Sequence, residues 1–181
     1  MLGEKGHQVT VFINDSAIKG SKEEKISSNI RLIRFHPNQT AKGKALGFEA
    51  RLSLEFAHIL EDQMKKEGVP DILESQEYLG IAYYTVQKKH LRYELFRDLK
   101  VLVTMHAPSF LYLEYNQVPH YRFPEYWTGI MEKASMKMAD LLLSPSNYLI
   151  RQMEGRVEFS SIKPKRLFNP YPASTTSEIP E

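Results

Sequence analysis

The sequence predicts an α/β fold: a Rossmann-like, doubly wound, mainly parallel sheet with helices on both faces. Three observations carry this. Short apolar runs rich in branched residues recur at 8–13, 101–105 and 141–143, as expected for strands covered on both faces. Amphipathic stretches of helical period separate the strand-like runs, at 48–66, 79–96 and 124–139. Strand and helix therefore alternate at short intervals, which favours a parallel sheet built by crossovers.

The elements follow in order. Residues 2–7 read as the end of a helix, with Gly6 a left-handed cap. Residues 8–13 form a strand, and Asn14-Asp15 turns out of it. A parallel sheet would want another strand before that first helix end, so the unit is expected to lack its first strand. Residues 16–28 are polar, with mixed charges and no period, and are expected to be a solvated loop. Residues 29–35 alternate apolar and basic side chains, which predicts a strand near the sheet edge with one wet face. A loop over 38–47 follows.

The helix at 48–66 carries an apolar stripe of Leu52, Phe56, Ile59, Leu60 and Met64, and Gly68 caps it. A short strand at 71–75 leads into a second helix, 79–96, with Leu79, Ala82, Tyr83, Val86, His90 and Tyr93 inward and Lys88, Lys89 and Arg92 outward. The strand at 101–105 ends on His106, and Pro108 forces the chain out of the sheet. An aromatic-rich loop spans 109–123, and a third helix, 124–139, turns Trp127, Ile130, Met131, Ala134 and Met138 inward. After the strand at 141–143, Ser144-Pro145-Ser146 starts a helix that stops at Gly155. Residues 166–168 form a last strand. The domain thus spans 1–168, and 169–181 is a hinge segment with a disordered tail.

Composition bounds the function. The 181 residues suffice for one domain with a core, and 42% hydrophobic with 25% charged residues is an ordinary globular mixture. A net charge of +2, from 24 basic and 22 acidic residues, gives no argument for a nucleic-acid polymer as partner. With no cysteine there is no disulfide framework, which fits a cytoplasmic protein. No apolar run reaches the roughly 18–20 residues of a spanning helix. No glycine-rich nucleotide loop is present, and the six histidines lack metal-ligand spacing, so no cofactor and no metal are expected.

His106 is either a histidine that ends a strand on a nearby carbonyl or a hydrogen-bonding group in the crevice, where ligands of open α/β sheets bind. Glu74-Ser75-Gln76-Glu77-Tyr78 ends a strand on the same edge. It offers two carboxylates and an amide suited to a hydroxyl-rich ligand, or a carboxylate that only caps the next helix. Phe110, Tyr112, Tyr115, Tyr121, Phe123, Tyr126 and Trp127 pack on the domain, cover an acceptor or touch a partner. Ser144 and Ser146 are helix caps or receivers of an anion.

In this order the pieces resemble the N-terminal domain of GT-B-fold retaining glycosyltransferases, the large family that includes bacterial glycogen synthases, sucrose synthases and mannosyltransferases. The residues that carry the resemblance are Gly6-His7-Gln8-Val9-Thr10-Val11, the run from Pro70 to Glu77, Val103-Thr104-Met105-His106, the run from Ala139 to Ser146, and Asn169-Pro170-Tyr171-Pro172. The resemblance implies metal-independent retaining transfer from a nucleotide-sugar to a glycan, lipid-linked or small-molecule acceptor. His106 would be the catalytic group, contacting the transferred sugar. Glu74, Gln76, Glu77, Tyr78, Phe110 and Tyr112 would hold the acceptor, with Ser144 and Ser146 as anion-binding candidates. The donor would be held by a second domain carrying a Glu-x7-Glu motif that these residues do not include, so the chain alone is expected to lack turnover. The alternative is a non-catalytic carbohydrate-binding or interaction module derived from such an enzyme. Lys88, Lys89, Arg92 and Tyr93 beside the aromatic segment raise peripheral membrane contact as a further expectation.

Overall fold

A computed structural model describes residues 2–37, 45–119, 121–159 and 164–166. His120, the 167–168 part of the expected last strand, the hinge and the tail lie outside the described residues. Among the described residues the chain forms an α/β fold of seven strands in two sheets. In the first, β1 (Val9–Asn14) pairs in parallel with β3 (Ile30–His36), and β2 (Gly20–Lys25) pairs with β3 antiparallel. In the second, β4 (Leu73–Gln76), β5 (Val101–Thr104), β6 (Leu141–Ser144) and β7 (Lys165–Arg166) lie in that order, all parallel. The helices are α1 (Phe48–Glu67), α2 (Tyr83–His90), α3 (Ser109–Tyr115), α4 (Glu125–Met138) and α5 (Asn147–Glu154).

The core forms where the sequence period places it. Leu52, Phe56, Leu60 and Met64 of α1 are buried with Phe35 of β3, Val101 and Val103 of β5 and Leu142 of β6. Ile59 is partly buried against them. Gly6 closes the turn Gly3–Lys5 at φ 84°, donating its N–H to the Gly3 carbonyl. Gly68 ends α1 at φ 89° with its N–H on the Met64 carbonyl.

Several expectations are corrected. The polar segment 16–28 is not a loop throughout, because it contains β2. As an edge strand, β2 buries neither face, so its sequence needs no apolar alternation, and its charges suit an unpaired edge. Its Glu23 and Glu24 instead reach Arg31 and Arg34 of the neighbouring strand, at 3.5 and 3.6 Å. Consequently β3 is the centre of its sheet rather than near the edge. The strands also form two sheets rather than one. Among the described residues β1 pairs only with β3 and β4 only with β5, and the free edges of β1 and β4 border one cavity of about 540 Å³.

The helix expected at 79–96 is broken. A single turn, Tyr78–Gly80, precedes α2, and the chain reverses at Arg92, which has φ 59°. The reversal buries Phe96 and Leu99 and leaves His90 and Tyr93 exposed. Lys88 and Lys89 do not point away. Lys88 pairs with Glu61 and stands 5.1 Å from the Phe96 ring centroid, while Lys89 donates to the Leu99 carbonyl (2.7 Å) and to Asp140. The outward basic face that suggested membrane contact is therefore not formed. No helix among the described residues is long and apolar enough to cross a membrane. The aromatic loop contains α3. In α4 Met131 of the expected stripe is fully buried, with Trp127, Ala134 and Met138 half-buried against the core, and the helix also buries Thr128, Gly129, Glu132, Ser135 and Met136.

Candidate functional site

The carboxyl ends of β4 and β5 meet at one edge of the parallel sheet. Gln76 ends β4 opposite Thr104 of β5, and the Glu77 N–H donates to the Thr104 carbonyl at 3.3 Å. On the other side, the Met105 N–H donates to Leu143 of β6 at 2.8 Å. The chain is therefore held from both neighbouring strands up to the residue before His106. Because Met105 points into the core, alternation along the strand turns His106 outward, and its side chain is 61% exposed.

His106 is fixed at the backbone and the ring. Its N–H donates to Glu77 Oε1 at 2.7 Å, and Nδ1 lies 3.1 Å from the Thr104 carbonyl. A carbonyl can only accept, which assigns a proton to Nδ1 and leaves Nε2 as the ring's acceptor. Glu77 Oε2 is 3.7 Å from Nδ1 and has no hydrogen-bond partner of its own.

The predicted residues are partly brought together. Glu74 joins the group by accepting the Thr104 hydroxyl at 3.1 Å, and it is exposed, as are Gln76 and Tyr78. Glu77 does not face an acceptor. It is fully buried, and its carboxylate is turned under His106. Phe110 is also unavailable, because α3 packs on α4 at Gly129 and encloses the ring, which Lys133 covers at 4.6 Å. Tyr112, on the other face of α3, is 60% exposed. The Ser144 hydroxyl donates to the Ser146 carbonyl (2.9 Å), and the Ser146 hydroxyl accepts the Leu149 N–H (3.2 Å) at the start of α5.

Sequence reasoning missed Glu132. This carboxylate is fully buried in α4, where Oε1 accepts the N–H groups of Leu79 and Ser109, both at 2.9 Å. Oε2 accepts from Phe110 at 3.4 Å. Burial pushes the Glu132 carboxyl up to about 7, against the opposing pull of those hydrogen bonds. A signal existed: Thr128, Glu132 and Ser135 recur at i, i+4 and i+7, a polar stripe that faces inward.

Two cavities lie away from His106. The larger is the one between the sheets, and the smaller, about 280 Å³, is lined by Ala45, Leu46, Tyr121, Phe123, Tyr126 and Trp127. The His106 group instead lies exposed at the strand ends, able to donate and accept hydrogen bonds to a polyhydroxylated ligand. Among the described residues no group of three or more carboxylates or histidines is placed to hold a metal ion.

No protein-family model and no curated protein matches the sequence. Among solved structures the chain is similar to a sucrose-phosphate synthase from Thermosynechococcus elongatus, at 14% identity and a TM-score of 0.57, over 91% of this chain and 77% of that one. This likeness establishes the fold: an α/β domain with a parallel sheet, consistent with a Rossmann-like half of a GT-B architecture.

Proposed function

We propose that the chain is the acceptor-side domain of a retaining, nucleotide-sugar-dependent glycosyltransferase. The observation that carries this is His106, held at the carboxyl end of β5 by a buried carboxylate, with its ring exposed. The fold is shared with a protein titled sucrose-phosphate synthase, which adds support for sugar transfer.

In this reading His106 contacts the transferred sugar. Charge develops on the sugar and the leaving diphosphate in the transition state, and a fixed imidazole placed there stabilises it without reorganising. Glu74, Gln76, Tyr78 and Tyr112 remain exposed and suit an acceptor's hydroxyls and ring faces. The donor diphosphate is bound mainly outside these residues, by a second domain.

The test is His106→Ala in the full-length protein, assayed against a panel of nucleotide-sugars with this chain alone as control. A loss of turnover of about 100-fold or more is expected, the scale for removing one preorganised donor, with no nucleotide release by the control. Unchanged turnover in the variant would demote His106 to a strand-end residue.

A further inference from the structure

Glu132 grips the chain on both sides of His106. Upstream it accepts from Leu79, in the turn Tyr78–Gly80 that follows Glu77. Downstream it accepts from Ser109 and Phe110, three and four residues beyond His106. The upstream turn has an unusual backbone, since Leu79 is left-handed at φ 59° and Gly80 follows at φ 60°. Such a conformation is unfavourable for a non-glycine residue and persists only where surroundings impose it. The surroundings here are α4. A Cβ on Gly80 would stand 2.5 Å from Met131 Cβ and 3.1 Å from the Glu132 backbone nitrogen, so the turn lies directly on the helix. The Gly80 N–H in turn donates to the Glu77 carbonyl at 2.8 Å. A continuous path therefore runs from Glu132 through Leu79 and Gly80 to Glu77, and from the Glu77 carboxylate to the His106 N–H at 2.7 Å.

We propose that Glu132 is a positioning residue for His106: it ties the turn behind Glu77 to the start of α3, so that the Glu77 carboxylate stays beneath the histidine. It touches no substrate and acts through Glu77. A glutamine keeps one oxygen for the Leu79 and Ser109 N–H groups but turns its amide N–H on the Phe110 N–H, which breaks the tie at the start of α3. The inference rests on the reading of His106 as the sugar-contacting group, but its test uses no substrate. The two therefore fail separately: His106→Ala can leave turnover intact while this geometry stands, and the reverse holds too.

The experiment is amide hydrogen exchange by NMR on the full chain, comparing two neighbouring amides. The His106 N–H is held by the Glu77 carboxylate, and the Met105 N–H by the Leu143 carbonyl. In Glu132→Gln the His106 amide is expected to exchange about tenfold or more faster relative to Met105, as the tie to the start of α3 loosens locally. Ser135→Ala is the control, since the buried Ser135 hydroxyl bonds only the Met131 carbonyl of its own helix. It should lower stability and move both amides together. A His106-to-Met105 ratio in Glu132→Gln that matches the Ser135→Ala ratio would overturn the proposal. If Glu132→Gln does not fold, Glu132→Asp, which keeps the carboxyl but shortens its reach, is read by the same ratio with the same consequences.

Discussion

At the scale of single residues, the buried carboxylate of Glu132 should leave a mark on stability. Its carboxyl is raised from 4.5 to about 7 by burial. The folded state therefore holds a proton that the unfolded chain has released between those values. Stability from this group is full below about pH 4.5 and is lost as pH rises through about 7, a contribution on the order of 3 kcal/mol. Other carboxylates act in the opposite sense at lower pH. Glu61 is lowered by Lys88 and Lys65, and Glu67 by Arg31. Asp140 is raised by burial but lowered further by Lys89 and the Val101 N–H. Their stabilisation is lost as pH falls below the ordinary carboxylate range. Thermal melts between pH 4.5 and 7.5 should therefore show the wild type losing stability with rising pH while Glu132→Gln stays flat. Parallel curves would remove Glu132 as the cause. The site was legible in the sequence only as far as strand ends reveal it. His106, Glu74 and Gln76 stand where β4 and β5 stop. The inward turn of Glu77 and the role of Glu132 depend on how a left-handed turn lies on α4, and no local pattern near residue 77 encodes that docking.

Among the elements, those with strong apolar period were legible and those defined by their neighbours were not. α1 was readable because Leu52, Phe56, Leu60 and Met64 share one face, and β5 because both its faces are covered. β2 was invisible because an edge strand with two wet faces has no apolar alternation to read. The single helix expected at 79–96 failed at Arg92, whose left-handed backbone serves the burial of Phe96 rather than any local preference. At α5, the N-cap serine separates two meanings by experiment. The Ser146 hydroxyl accepts the Leu149 N–H, so Ser146→Ala should cost about 1 kcal/mol of stability, the usual value of a lost cap. Ser146→Asp should restore most of that loss by supplying another acceptor at the same place. If an anion used this hydroxyl as a donor, Ser146→Ala would weaken phosphate binding without lowering the melting temperature. Urea melts of the two variants, with and without phosphate, decide between these outcomes.

For the molecule as a whole, the division into two sheets exposes edges that a single sheet would have paired. β1 is apolar in sequence, Val-Thr-Val-Phe-Ile-Asn, yet Val11 and Ile13 are each 41% exposed. Its outer edge and that of β4 have no strand partner among the described residues. Natural edge strands are protected by charge, brevity or cover. β2 has the charge, with Lys22, Glu23, Glu24 and Lys25 in succession, whereas β1 has none in its six residues. An unpaired, apolar edge is a template for pairing with another chain. The 181-residue chain is therefore expected to self-associate as its concentration rises, through β1 rather than through the charged β2 edge. Val11→Lys combined with Ile13→Lys should reduce that association, because a charge on an edge strand blocks pairing without touching the core around Phe56. Sedimentation velocity across a concentration series measures it. A wild type that stays monomeric throughout, or a double variant that associates as the wild type does, would show that the β1 edge is already protected and that the exposed valine and isoleucine carry no association.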